Sequence, residues 1–205
     1  MVLKVKPKEA FLTIIGILSI LLSIIGIIVN IRAETHYNLV WFCNHTSLIL
    51  GLAFIFRSSF WITAQLNIGF FPQLFWSIDF LSKLLFNRFI FGFTDYMFSP
   101  YYDKALYILS WNHIFIMPIA LVVLYFLNTP RKDAWKGSLL HSILLIPLSY
   151  MFAPDLNLNC MHKSCLFFIP TFTFYKIIWP LIMLIIVIIP TNYLLHWIYK
   201  KMNNS

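Results

Sequence analysis

The feature that most constrains this chain is the apolar run "FLTIIGILSILLSIIGIIVNI", residues 11–31, and the fact that it recurs. A helix needs roughly 20 consecutive apolar residues to cross a bilayer. Runs of about that length fall at 11–31, 39–56, 60–86, 105–127, 134–152 and 170–199. Charged residues make up 11% of the 205 residues, against about 25% in an ordinary soluble domain. So few charges cannot build a water-facing surface, and a mean hydropathy of +0.82 agrees. The expectation is an all-α fold: one polytopic integral membrane helix bundle over 1–205, with six transmembrane helices. The partner is then the lipid bilayer, and the 19% aromatic content suits its interfaces.

The formal charge of +8 does not indicate nucleic acid, because the basic residues sit in short clusters between apolar runs. Lys4, Lys6 and Lys8 precede the first run, and Arg57 separates the second from the third. Arg131, Lys132 and Lys136 separate the fourth from the fifth, and Lys200 and Lys201 follow the sixth. Six crossings put all four sets on one side, so the positive-inside rule predicts that both termini are cytoplasmic. The first run is too long for a signal-peptide core, and "NIRAETHYN" is a poor cleavage site, so an uncleaved helix is expected. "FNRFIFGFTDYMF" carries Arg88 and Asp95 and reads as an interfacial or re-entrant segment.

Polar groups inside such runs cost about 2.5–3.5 kcal/mol each when ionisable, so they face the bundle interior. The second run holds Cys43, Asn44 and His45. The third holds Gln73, Trp76 and Asp79, spaced to share one helical face. The fourth holds Asn112 and His113, and the fifth His141. Three chemistries suit this set. Cys43 could be a nucleophile with His113 or His45 as base, while Asn44 and Asn112 orient the base or the oxyanion. His45, His113, His141 and Asp79 could together supply metal ligands, although no HExxH or CxxC spacing is present and no cofactor is called for. The pocket of Asp79, Gln73, Trp76 and His141 could bind a small polar or lipidic ligand in a non-enzymatic carrier.

Plainer roles stand beside these. Lys83, four residues after Asp79, could neutralise it. His113 could satisfy a carbonyl freed by Pro118. Cys43 could be an ordinary buried thiol, and the polar side chains could simply join helices in a structural subunit. Cys160 and Cys165 in "NLNCMHKSC" fall in an extracytoplasmic loop. There they could form a disulfide, remain thiols or clip a metal with His162.

The order of "WFCNH" in the second run, "FPQLFWSID" in the third, "NHIFIMP" in the fourth and "DLNLNC" after the fifth resembles YwaF-type bacterial membrane proteins. That resemblance implies six helices in a bacterial cytoplasmic (inner) membrane. Those proteins are distantly similar to androgen-induced-gene type lipid hydrolases and to a related ether-lipid acyltransferase. There, a Thr or Cys nucleophile in an early span is paired with a His in a later one, which matches Cys43 and His113 here. The implied function is hydrolysis or acyl transfer on a lipid-like ester. "VIIPTNYLL" and "PDLNLN" also resemble segments of uncharacterised bacterial membrane-associated proteins.

Overall fold

The computed structural model describes residues 7–127, 129–152, 154–164 and 170–203, which form an all-α bundle without strands. Helices α1 (Pro7–Arg32), α2 (Phe42–Ile55) and α3 (Ser59–Phe86) come first. Next are α4 (Lys104–Ser110), α5 (Asn112–Phe126) and α6 (Trp135–Tyr150). The chain ends in α7 (Tyr175–Ile182), a π-helical segment Met183–Ile188, and α8 (Ile189–Asn203). Among the described residues, three stretches are long and apolar enough to cross a membrane: Pro7–Arg32, Lys104–Phe126 and Tyr175–Met202.

Helices α1 and α6 are turned inside out relative to those of a soluble bundle, while α5 buries an apolar face of Ile116, Met117, Ala120, Val123 and Leu124. On α6 the buried face carries Ser138, His141, Ser142 and Ser149, while Leu140, Ile143, Leu144 and Leu148 are exposed. On α1 the buried positions include Gly16, Ser19, Ser23 and Asn30, and Ile14, Leu18, Leu21 and Ile28 face outward. Lipid reverses the sorting that water imposes, and small or polar residues then let helices approach and hydrogen-bond. The α1–α2 crossing depends on this. A Cβ on Gly16 would sit 2.7 Å from the carbonyl oxygen of Gly51, and one on Gly51 would sit 2.8 Å from that of Gly16.

The helix boundaries depart from the apolar runs where backbone chemistry intervenes. α3 continues through Gly69 and Pro72, which composition alone marks as an interruption. Gly69 instead admits Met117 of α5, whose Cε lies 2.7 Å from where a Cβ would be. The fourth run is broken at Trp111, which caps α4 just before α5 begins. In the sixth run the π segment lies directly before Pro190, where widening the turn relieves the clash between a proline ring and the carbonyl four residues earlier. α2 has 14 residues and α6 has 16, so each rises only about 21–24 Å and neither alone spans a hydrocarbon core of ~30 Å.

The basic loops gather at one end. Arg57 pairs with Glu9 at 3.4 Å, and the Arg131 amide donates to Thr63 Oγ1 at 3.3 Å. Asn192 of α8 donates to the Lys132 carbonyl at 3.1 Å. The segment between α3 and α4 packs at the opposite end. It is irregular apart from a short 3₁₀ turn, Asp95–Phe98.

Candidate functional site

The polar cluster of the second run is the first turns of α2, and each side chain there is tied to a different element. Asn44 donates its amide to the Asn38 carbonyl in the preceding 3₁₀ turn, His36–Val40. His45 Nε2 meets the Leu39 carbonyl. A carbonyl only accepts, so Nε2 carries the proton and Nδ1 keeps a lone pair. The His45 ring also lies nearly parallel to His141 of α6, with centroids 5.7 Å apart. Thr46 donates to Gln65 of α3 at 3.3 Å, and Asn112 of α5 donates to Ser47 at 2.6 Å. One helical turn therefore reaches α3, α5 and α6.

Cys43 sits within that turn as a free, half-buried cysteine. Its sulfur meets the backbone of Asn44, and no described histidine hydrogen-bonds it. His113 is half-buried, with Nδ1 2.9 Å from the Ser110 carbonyl and its ring stacked on Trp76 at 4.6 Å. It thus satisfies a carbonyl at the α4–α5 break; no contact with one freed by Pro118 is involved. The same tautomer logic places the proton on Nδ1 and leaves Nε2 as an acceptor. Tyr102 lies in the loop before α4, and burial pushes its phenol above the ordinary value.

Asp79 is fully buried and engages neither Lys83 nor a histidine. Its Oδ1 accepts the amides of Ile90, Phe91 and Gly92 at 2.8, 2.7 and 3.1 Å. Its Oδ2 accepts the amide and hydroxyl of Thr94, both at 3.0 Å. Lys83 donates instead to Asn87 Oδ1 at 2.8 Å and lies over the Phe89 ring. Asp79 thereby organises the Arg88-to-Asp95 segment.

Gln73 is buried beside Gly69 and Met117, and its Oε1 has no hydrogen-bond partner among the described residues. Trp76 stacks between His113 and Phe80, at 4.6 and 5.1 Å. His141 is buried with its edge toward Phe42 and has no partner for either ring nitrogen among the described residues. Of the candidate metal ligands, the contacts join His45 with His141, while His113 and Asp79 are engaged elsewhere. No group of three or more His, Cys, Asp or Glu side chains suited to a metal ion occurs among the described residues. The choice among a Cys160–Cys165 disulfide, thiols and a metal clip with His162 turns on Cys165, which lies outside the described residues.

Two further polar centres, Asn159 and Asn67, are given no chemical role by the sequence. Asn159 has φ +51°, and its side chain accepts the Phe42 amide at 3.0 Å. It donates to the Val40 carbonyl and to Ser149 Oγ, both at 2.8 Å, and its carbonyl accepts Trp179 Nε1. Asn67, fully buried, donates to Asn192 at 3.0 Å and to Ser138 at 3.3 Å. The Asn-rich "DLNLNC" was the available signal for the first, and an Asn inside an apolar run for the second.

An apolar groove of about 340 Å³ opens between α1 and the α4–α5 break. Exposed Leu18 and Leu22 form one wall and exposed Ile108 and Phe115 the other. Ser19 and Asn112 supply its polar atoms. Comparison of the chain with protein-family models, curated proteins and solved structures yields no match.

Proposed function

We propose that this chain is a six-crossing membrane protein, with both termini cytoplasmic, that binds a lipidic ligand without covalent chemistry. The observation that carries this is the groove between α1 and the α4–α5 break. Its walls are continuous with the outward apolar face of α1, so an acyl chain of a bilayer lipid can enter sideways without crossing water. Asn112 at its edge leads through Ser47 to the polar turn of α2, which gives the groove a polar end. The six-helix arrangement is also what the resemblance to YwaF-type proteins implies.

Leu18→Trp fills the groove from an exposed position, and Leu21→Trp is a control on the same helix outside it. Native mass spectrometry of protein extracted with its membrane lipids should find bound lipid in wild type and Leu21→Trp, and little in Leu18→Trp. Equal lipid retention in all three would remove the groove as a binding site.

A covalent lipid hydrolase or acyltransferase is favoured by one observation, the Ser110 carbonyl that leaves His113 Nε2 as a base. That chemistry requires Cys43 and His113 to meet, and the amides of Asn44 and Asn112 are already committed to Asn38 and Ser47. Labelling of Cys43 by a thiol-reactive lipid probe, lost in His113→Ala, would establish the enzyme over the carrier.

A further inference from the structure

We propose that His45, His141 and Gln65 form a second site, between α2, α3 and α6, for one small uncharged molecule bearing both a hydrogen-bond donor and an acceptor. An amide or alcohol group fits this description, and water is its smallest member. The site stands apart from the groove between α1 and the α4–α5 break and does not depend on it.

His141 is 6% exposed, yet neither of its ring nitrogens has a hydrogen-bond partner among the described residues. A neutral imidazole carries one donor and one acceptor, and buried groups of that kind are normally paired. The partner ring is fixed. The Leu39 carbonyl accepts the hydrogen bond of His45 Nε2–H, so in the neutral ring Nδ1 is the acceptor, on a ring whose centroid lies 5.7 Å from that of His141. Gln65 is fully buried on α3. Its Oε1 lies 3.3 Å from Thr46 Oγ1, whose one proton also has the Phe42 carbonyl at 2.9 Å, so its amide is at most weakly held and its Nε2 has no hydrogen-bond partner among the described residues. Gln65 of α3 packs on Thr46 and His141 of α6 packs on His45, neighbouring residues in the second turn of α2.

The charge pattern selects a neutral guest. Asp79 is committed to the amides and hydroxyl of the following loop, which leaves no described carboxylate to hold a cation here. Arg57 and Arg131, which pair with Glu9 of α1 and with Asp133, lie in loops at the end of the bundle. What remains is an acceptor on His45, a donor and an acceptor on His141, and donors on Gln65.

The test uses full-length protein in lipid nanodiscs with nitrogen-15 histidine, the His141 signals being assigned by their loss in His141→Gln. The expected wild-type result is a neutral His141 ring with both nitrogens at hydrogen-bonded shifts. Added acetamide should move those signals saturably, and Gln65→Leu should weaken its apparent affinity at least tenfold. A persistent water cross-peak to His141 that acetamide does not displace would identify water as the occupant. Ring nitrogens at non-hydrogen-bonded shifts, with neither a water cross-peak nor a response to acetamide, would overturn the proposal. The wild-type spectra, assigned through His141→Gln, deliver that result even if Gln65→Leu fails to fold.

Discussion

Thr94 gives both its backbone amide and its hydroxyl to Asp79 Oδ2, each at 3.0 Å, so a carboxylate on α3 holds a loop fifteen residues further along the chain. With the three amides on Oδ1, this is five donors on one buried carboxylate, and hydrogen bonds to a charged acceptor are the stronger kind.

Asp79→Asn places an amide N–H₂ against donors and should cost roughly 2–4 kcal/mol. Lys83→Ala should cost far less, because Lys83 bonds Asn87 and not Asp79. Thermal unfolding in detergent, with protease sensitivity of residues 88–94 as the local readout, checks both. Equal losses would mean that the carboxylate is neutralised by Lys83 after all.

Asn159 joins the start of α2 to α6 and α7. Asn159→Ala removes three side-chain hydrogen bonds at about 1 kcal/mol each and puts a Cβ-bearing residue without a polar anchor at φ +51°. Asn159→Gly relieves the backbone strain and keeps the bond deficit. The Gly variant should therefore unfold at a higher temperature than the Ala variant and below wild type.

At the α1–α2 crossing, Gly16→Leu drives a side chain into the Gly51 carbonyl and Ile55, both within 2.7 Å of the new Cβ. Overpacking of this kind typically costs about 1–3 kcal/mol. A cysteine pair engineered across α1 and α2 should crosslink readily in wild type and poorly in Gly16→Leu. Unchanged crosslinking would show that the helices can move apart freely.

Orientation can be read by labelling single cysteines in a Cys-free background. Tyr101→Cys, in the loop after the 3₁₀ turn Asp95–Phe98, should react with an impermeant reagent added outside intact cells. Arg131→Cys should react only after the membrane is opened. The reverse pattern would invert the topology derived from the basic loops.

The all-α class, and the principal helices to within a few residues, are legible in the amino-acid sequence. Both rest on run length and charge scarcity, which need no knowledge of neighbours. The sequence also identified the "CNH" turn of α2 as unusual. What that turn does was decided by the tertiary structure. A polar side chain in an apolar run must find a partner, but the partner belongs to another helix, as Ser47 finds Asn112 and Thr46 finds Gln65. The same holds for Asp79, whose carboxylate had a plausible local partner in Lys83 at the right helical spacing. Five donors delivered by a folding-back loop outweigh one solvated ammonium, and no helical periodicity records where a loop will return. His141 shows the converse. Its burial follows from its place on α6, but only packing against His45 and Phe42 leaves both of its nitrogens without a partner among the described residues.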